Sequence, residues 1–486
     1  MSAPQVEPVI ERVRMGRMPE LRAAARAHGL EAVAFVGVIA IGVALRVVRL
    51  GTIPRILAGD EANTLQDALR INAGTGPSIF GFDWGQSPIL ATYPLAWMLR
   101  IFGDSLGDIR LYPVIFSVLA LILTYLLARE TMSAPAALAA VLLLATNVWF
   151  LNFSRTLWYN MNSVFFAVGA CWAVTRALKT TGRTSWIWWL ITAFFVTGAL
   201  YGYATGRFIC ISIAVIAVFA VVTRLAPARR TLLGLALVAV VSAALFAPEA
   251  KYLYDHYDLF KTRSDTVSVF NTKDASGHKK NGWAVAWRNI EPNVRGLVFN
   301  EGLQAQRGPY NARYHPVQNP RAALSFLGTI LFLCGLIIGA FRWRQTYTWF
   351  PFFIPVFIVN IFSGDTPDYS RSILLAPFYF LFIGLLFDEA LRRRWRFAPQ
   401  QLVLVAILAT TAYISVRDVK LYFEWQGEVY TQIVRTPGID YCEYGPWLAG
   451  LKQATEAGRL FGLEEFIPTR RELQCSPVIL RAGGYD

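Results

Sequence analysis

Two adjacent carboxylates, Asp60 and Glu61, stand in Gly59-Asp60-Glu61-Ala62, about ten residues past the first long apolar stretch of the chain. Full charges that close to a bilayer are costly unless they are solvated, paired or used. The pair would also suit the start of a helix through Ala62–Ile71, because acids are favoured at a helix N-terminus. More polar groups gather at the same ends of the apolar stretches: Asp83, Gln86, Arg155, Tyr159, Asn160, Tyr201, Tyr203 and Arg207. Glu249, Lys251, His256, Arg263, Asp365, Asp368 and Arg371 follow later in the chain. Carboxylates facing several arginines suit an anionic substrate such as a lipid phosphate, since the planar guanidinium donates bidentately. A sugar leaving that phosphate would release an anion already stable near neutral pH. Such a group needs cationic stabilisation rather than a proton, so one carboxylate serving the acceptor would be enough. Glycoside hydrolysis, by contrast, uses two carboxyl groups. Direct attack at the anomeric carbon would invert its configuration. Plainer roles stand beside these. Arg155 and Arg207 could snorkel to headgroups, Tyr201 and Tyr203 could belong to an interfacial aromatic belt, and Asp365, Asp368 and Arg371 could be solvated turn residues.

The elements that must position these groups are membrane helices. The 486 residues are 55% hydrophobic and only 16% charged, whereas soluble domains run near 25% charged. A spanning helix needs roughly 20 mostly apolar residues. About eleven stretches qualify, near 31–50, 110–130, 134–152, 160–178, 186–204, 207–225, 231–251, 322–341, 346–363, 371–391 and 400–419. With the N-terminus inside, the cytoplasmic loops hold Arg176, Lys179 and Arg183, then Arg224, Arg229 and Arg230, then Arg342 and Arg344, then Arg392, Arg393, Arg394 and Arg396. The opposite loops are poor in bases, which satisfies the positive-inside rule. The formal net charge of +14 is therefore a topological bias and gives no reason to expect a nucleic-acid partner. Residues 88–102, short and interrupted by Pro94, are expected to form an interfacial or re-entrant helix.

The implied organisation is a basic cytoplasmic leader (1–30), a transmembrane domain (31–419) with outer loops 51–109 and 252–320, and an extracytoplasmic C-terminal region (420–486). Cys442 and Cys475, both in that last region, are candidates for a disulfide in an oxidising compartment. No Cys/His set has zinc spacing, and only four His are present. A divalent cation held by Asp60, Glu61 and a third acid is an open alternative, and no other cofactor is expected.

Gly59-Asp60-Glu61-Ala62 after the first span is similar to the Asp-Glu motif in the first outer loop of GT-C glycosyltransferases. The resemblance is to the branch that holds protein O-mannosyltransferases and the lipid A aminoarabinose transferase. Arg110-Leu111-Tyr112-Pro113, Asn152-Phe153-Ser154-Arg155-Thr156, Tyr203-Ala204-Thr205-Gly206-Arg207-Phe208 and Asp368-Tyr369-Ser370-Arg371 resemble further segments of that family. The likeness covers roughly residues 30–420. It implies an all-α polytopic bundle of about eleven helices, with interfacial helices in the first outer loop and a small extracytoplasmic C-terminal region. The implied activity moves a monosaccharide from a polyprenyl-phosphate donor to a protein, lipid or glycan acceptor outside a bacterial-type plasma membrane. Asp60 would be the catalytic carboxylate with Glu61 beside it, and Arg155, Arg207 and Arg371 would meet the donor phosphate. Asp83, Gln86, Tyr159, Asn160, Tyr203, His256 and Arg263 would line the substrate pocket. Where some members carry an acid-Lys-Pro, this chain has Gln86-Ser87-Pro88, so one expected phosphate contact is missing.

Three other functions compete. A flippase for lipid-linked sugars would favour mid-membrane charges and repeated halves, and the charges here lie at the rims. A ligase using polyprenyl-diphosphate glycans would call for more cations around the donor. A non-catalytic scaffold leaves the Asp-Glu pair unexplained.

Overall fold

The computed structural model describes residues 29–54, 59–259, 261, 268–271, 278–301, 323–363, 366–393, 395 and 399–433. The basic leader, Arg263, Asp365, Cys442 and Cys475 lie outside these residues, as does nearly all of the C-terminal region. The helices of seven residues or more run in chain order as α1 (Gly29–Val47), α2 (Gly59–Asn72), α3 (Tyr93–Phe102), α4 (Leu106–Arg129), α5 (Ala134–Thr146), α6 (Val148–Ser154), α7 (Asn160–Lys179) and α8 (Gly182–Leu200). They continue as α9 (Arg207–Val222), α10 (Ala228–Asp255), α11 (Gly282–Asn293), α12 (Phe326–Phe341), α13 (Phe353–Ile361), α14 (Ala376–Arg392) and α15 (Gln400–Ile433). All eleven expected stretches are helical. Among the described residues, six helices are long and apolar enough to cross a membrane by themselves, against about eleven expected spans, and the α5–α6 pair makes a seventh if it is counted as one span. The chain is an integral membrane protein.

The stretch expected to span over 134–152 is not one straight helix, because α5 and α6 bend by 61°. Asn147 causes the break: its backbone is extended, and its side chain accepts from Phe150 N and donates to Ala323 O and Asp418. Pro94 likewise does not interrupt its segment. It sits in the first turn of α3, where a missing N–H costs nothing. Across residue 420 the chain does not change character. α15 continues without a break through Ile433, giving 34 residues and a length near 51 Å at 1.5 Å per residue.

Ion pairs identify one end of the bundle. Glu31 at the start of α1 meets Arg129 at the end of α4 at 2.6 Å. Glu130 meets Arg176 and Lys179 at the end of α7, each at 3.1 Å. Asp388 near the end of α14 accepts from Ser133 N, Arg342 and Arg392. The basic loops are thus pinned together at this end, and the chain reverses between successive long helices. α7 and the stretch containing α14 form the centre, with 78% and 83% of their apolar windows buried, while α1 is peripheral at 17%.

Close backbone approach supports that centre. A Cβ on Gly335 of α12 would stand 2.0 Å from the Phe382 carbonyl oxygen of α14, so no side chain fits without separating the helices. Gly37 of α1 has nothing within 4 Å. Gly335→Ala should lower the thermal unfolding midpoint in detergent by the equivalent of about 1–3 kcal/mol, while Gly37→Ala should leave it unchanged. Equal midpoints for the two variants would show that the α12–α14 contact is soft.

Candidate active site

The end of the bundle opposite the basic loops collects the polar residues expected from the sequence. α2 begins at Gly59, so Asp60 and Glu61 fall in its first turn. Glu61 is 1% exposed. Its Oε1 accepts from Arg110 Nε at 3.1 Å and from the Leu157 N–H at 2.8 Å, and its Oε2 from Arg110 Nη2 at 3.3 Å. Arg110 also donates to the Pro54 carbonyl at 2.7 Å. One carboxylate therefore ties α2, the start of α4 and the α6–α7 connection into a unit. The side chain of Asp60 lies outside the described residues.

Arg155 is fully buried, and its terminal nitrogens donate to the carbonyls of Leu45, Val48 and Ile53 (2.7 Å to Val48 and 3.0 Å to Ile53). Those carbonyls lie at and beyond the last turn of α1, where a helix leaves oxygens unsatisfied. The guanidinium also lies 5.8 Å from the Tyr422 ring and 5.7 Å from the Phe423 ring of α15. Arg155 closes α1 against α15, and its terminal nitrogens are committed to backbone where the sequence suggested a phosphate ligand.

Arg207 stands differently. The turn from Ala199 to Gly206 is so tight that a Cβ on Gly206 would lie 2.2 Å from the Ala199 carbonyl. That turn sets Arg207 at the start of α9, half-buried, with Glu249 and Asp83 as its charged neighbours. Asp83 is held by its own loop: its Oδ1 accepts from the backbone of Gly85 at 2.8 Å and Ser87 at 2.7 Å. Gln86 in the same turn adopts φ +58°. Trp84 ties the loop to α2 through Asp67 at 2.7 Å and Thr64 at 3.2 Å. Tyr159 shares a 2.7 Å hydrogen bond with Thr92, and burial together with the Asp83 charge pushes its phenol well above the usual range. It stays neutral. Tyr203 packs edge-on to Trp158, and exposed His256 stacks on Tyr252, which in turn meets Phe82.

Arg371 and Asn160 form a third group. Arg371 pairs with Asp368 at 3.2 Å, and Asp368 also accepts from Ser370 and from the Arg371 backbone. Asn160 Nδ2 reaches the Ser370 carbonyl at 2.5 Å. The segment Arg155–Asn160 thus touches all three groups within six residues. Glu249, Thr92, Asn162, Ser163 and Thr205 join the site without having been assigned a role from the sequence; hydroxyl and amide residues in apolar helices were the available signal. Among the described residues, no three His, Cys, Asp or Glu side chains are placed to hold a metal ion.

Below this rim lies an apolar cavity of about 520 Å³ between α4, α7, α8 and α10. Phe116, Phe166, Leu190, Phe194, Val241 and Leu245 line its body, and Tyr112, Asn162, Thr197 and Tyr201 supply its polar side chains.

Residues 86–251 match the sequence model of the dolichyl-phosphate-mannose-protein mannosyltransferase family. No curated protein sequence matches the chain. Among solved structures, the archaeal oligosaccharyltransferase AglB of Archaeoglobus fulgidus, in complex with an inhibitory peptide and a dolichol-phosphate, is similar at a TM-score of 0.56 and 14% identity. The likeness covers 92% of this chain and 61% of that one, so the chain spans about three-fifths of that enzyme's length. ArnT of Cupriavidus metallidurans bound to undecaprenyl phosphate is similar at a TM-score of 0.53 and 13% identity, over 86% of this chain and 82% of that one. The chain has the GT-C glycosyltransferase fold.

Removing one partner of a buried ion pair leaves an uncompensated charge, at a cost of about 3–5 kcal/mol. Glu61→Ala should therefore sharply lower the unfolding midpoint in detergent, as Arg110 loses its carboxylate. A wild-type midpoint would remove Glu61 from this structural role.

Proposed function

We propose that the chain is a membrane glycosyltransferase that moves a monosaccharide from a polyprenyl-phosphate donor to an acceptor at the extracytoplasmic face. The observation that carries this reading is an apolar cavity whose lining includes Phe80, three residues before Asp83, and Tyr201 and Gly202 in the turn that leads to Arg207. An isoprenoid tail suits walls of Phe, Leu and Val, and a phosphate suits a guanidinium where those walls end. The family match and the GT-C fold support the same donor class.

The reaction follows from these parts. An acceptor hydroxyl or amine attacks the anomeric carbon while the bond to the phosphate oxygen breaks and its electron pair stays on the phosphate. Arg207 balances the charge that accumulates there. Asp60 receives the acceptor's proton, and the configuration inverts. Glu61 acts through position, holding the first turn of α2 against Arg110 and Leu157. Arg371, already paired with Asp368, is the weaker candidate for the phosphate. The acceptor is a protein, lipid or glycan, and the Arg-rich end of the bundle faces the cytoplasm.

Asp60→Asn should leave the protein folded and inserted but lower turnover by about 10²–10⁴-fold, the usual worth of a positioned base. Product release from a panel of radiolabelled polyprenyl-phosphate sugars measures it, and near wild-type turnover would end the assignment. Orientation is tested separately in a cysteine-free background. An impermeant thiol reagent should label Tyr257→Cys in intact cells and Arg183→Cys only after lysis, both positions being exposed. The opposite pattern would invert the proposed topology.

A further inference from the structure

Glu249 is fully buried on α10, and neither of its carboxylate oxygens has a hydrogen-bond partner among the described residues. It lies one turn beyond Leu245, a cavity-lining residue whose carbonyl accepts the Tyr201 hydroxyl at 2.9 Å. Its charge is felt by both Tyr201 and Arg207. Three more buried groups have no hydrogen-bond partner among the described residues and lie on, beside or a few residues from cavity-lining positions. Asn162 Oδ1 belongs to a cavity-lining residue whose Nδ2 is already given to Tyr112 at 2.7 Å. Ser163 Oγ would lie 3.5 Å from a Cβ on Gly202, itself a lining residue. Thr205 Oγ1 sits in the turn that carries Arg207.

The set has a chemical bias. The Glu249 oxygens and Asn162 Oδ1 can only accept when the acid is ionised, and the two hydroxyls do either. Burying so many acceptors is unfavourable unless a ligand supplies donors. The complement is therefore a donor-rich head on an apolar chain, beside a cation.

We infer that Glu249 is a specificity-determining residue that receives the hydroxyl or amine protons of the donor's sugar while Arg207 holds the phosphate that joins the sugar to the lipid. This deepens the donor reading above and rests on it. The chemistry also excludes a class of donor. With Glu249 ionised, a uronic acid would set its carboxylate against a like charge in a site of low polarity, which disfavours binding strongly. The preferred sugars are neutral or amino monosaccharides with free ring hydroxyls.

The test uses the full-length protein in detergent with three lipids: polyprenyl phosphate alone, the same lipid carrying a neutral hexose, and the same lipid carrying a uronic acid. Displacement of a fluorescent polyprenyl phosphate reports affinity. The wild type should bind the hexose lipid at least tenfold more tightly than the uronate lipid. Glu249→Gln should cut that ratio to threefold or less, and Glu249→Asp should keep most of it. Sugar-free lipid should bind all three proteins within twofold. A wild-type ratio near one, or an unchanged ratio in Glu249→Gln, overturns the role of Glu249 while sugar-free binding leaves the donor reading standing. Failure of the wild type to bind any of the lipids overturns both. If Glu249→Gln does not fold, a wild-type ratio near one still overturns the role of Glu249, and Glu249→Ala supplies the comparison in its place.

Discussion

The Glu61 carboxylate is the constraint on which the outer end of this bundle depends. It is buried among groups that belong to three separate parts of the chain, and it accepts from each of the other two. Arg110 brings the start of α4, and the Leu157 N–H brings the α6–α7 connection. A buried charge pair is a weak source of net stability against an apolar substitute. Its value here is in register: α2 must begin at Gly59, facing Arg110, for the carboxylate to be satisfied at all. The backbone of the acid next to it in sequence is thereby carried on a fixed turn.

The segment Arg155–Asn160 passes this constraint outward. Arg155 satisfies the open end of α1, Leu157 meets Glu61, Tyr159 joins Thr92 near Asp83, and Asn160 reaches the Asp368–Arg371 turn. In a bilayer, irregular backbone is tolerated only where protein satisfies its polar groups. The break at Asn147 and the non-helical link before α7 meet that condition with side-chain amide, carboxylate and guanidinium groups. The same rule explains why so many polar residues near this rim are structural. Arg155 is one, and Asp83 Oδ1, committed to its own turn, is partly another.

Helix positions, the polar rim and the Asp-Glu pair were legible because hydropathy and charge are read one residue at a time along the chain. Division of labour among the polar groups was not. Arg155 and Arg207 occupy equivalent sequence settings, each just after an apolar run and each able to snorkel. Only packing separates them, since one meets the orphan carbonyls of α1 and the other follows a glycine turn between two acids. Glu249 resembled any acid at the end of a span. Its burial depends on α8, the Gly202–Gly206 turn and α10 converging, which no local window records. The bend at Asn147 was hidden for the opposite reason: an apolar run reads as straight, and the amide that breaks it acts through Asp418 and Ala323, far away in sequence.

A site of this kind sits under two opposing demands. Groups that receive a sugar must be left short of partners within the protein, which weakens the fold around them. Groups that hold the backbone must be saturated. The chain separates the two by position. Glu61, Asp368 and Asp388 are each met by an arginine and at least one backbone N–H. Glu249 has an arginine as a charged neighbour and no hydrogen-bond partner among the described residues. An acid kept so bare in a helix packed beside an apolar cavity is stable only because the rest of the rim is over-determined. Relaxing Glu249 by adding a nearby donor would then stabilise the protein while it blunted sugar recognition, the usual exchange between a well-satisfied core and a functional site.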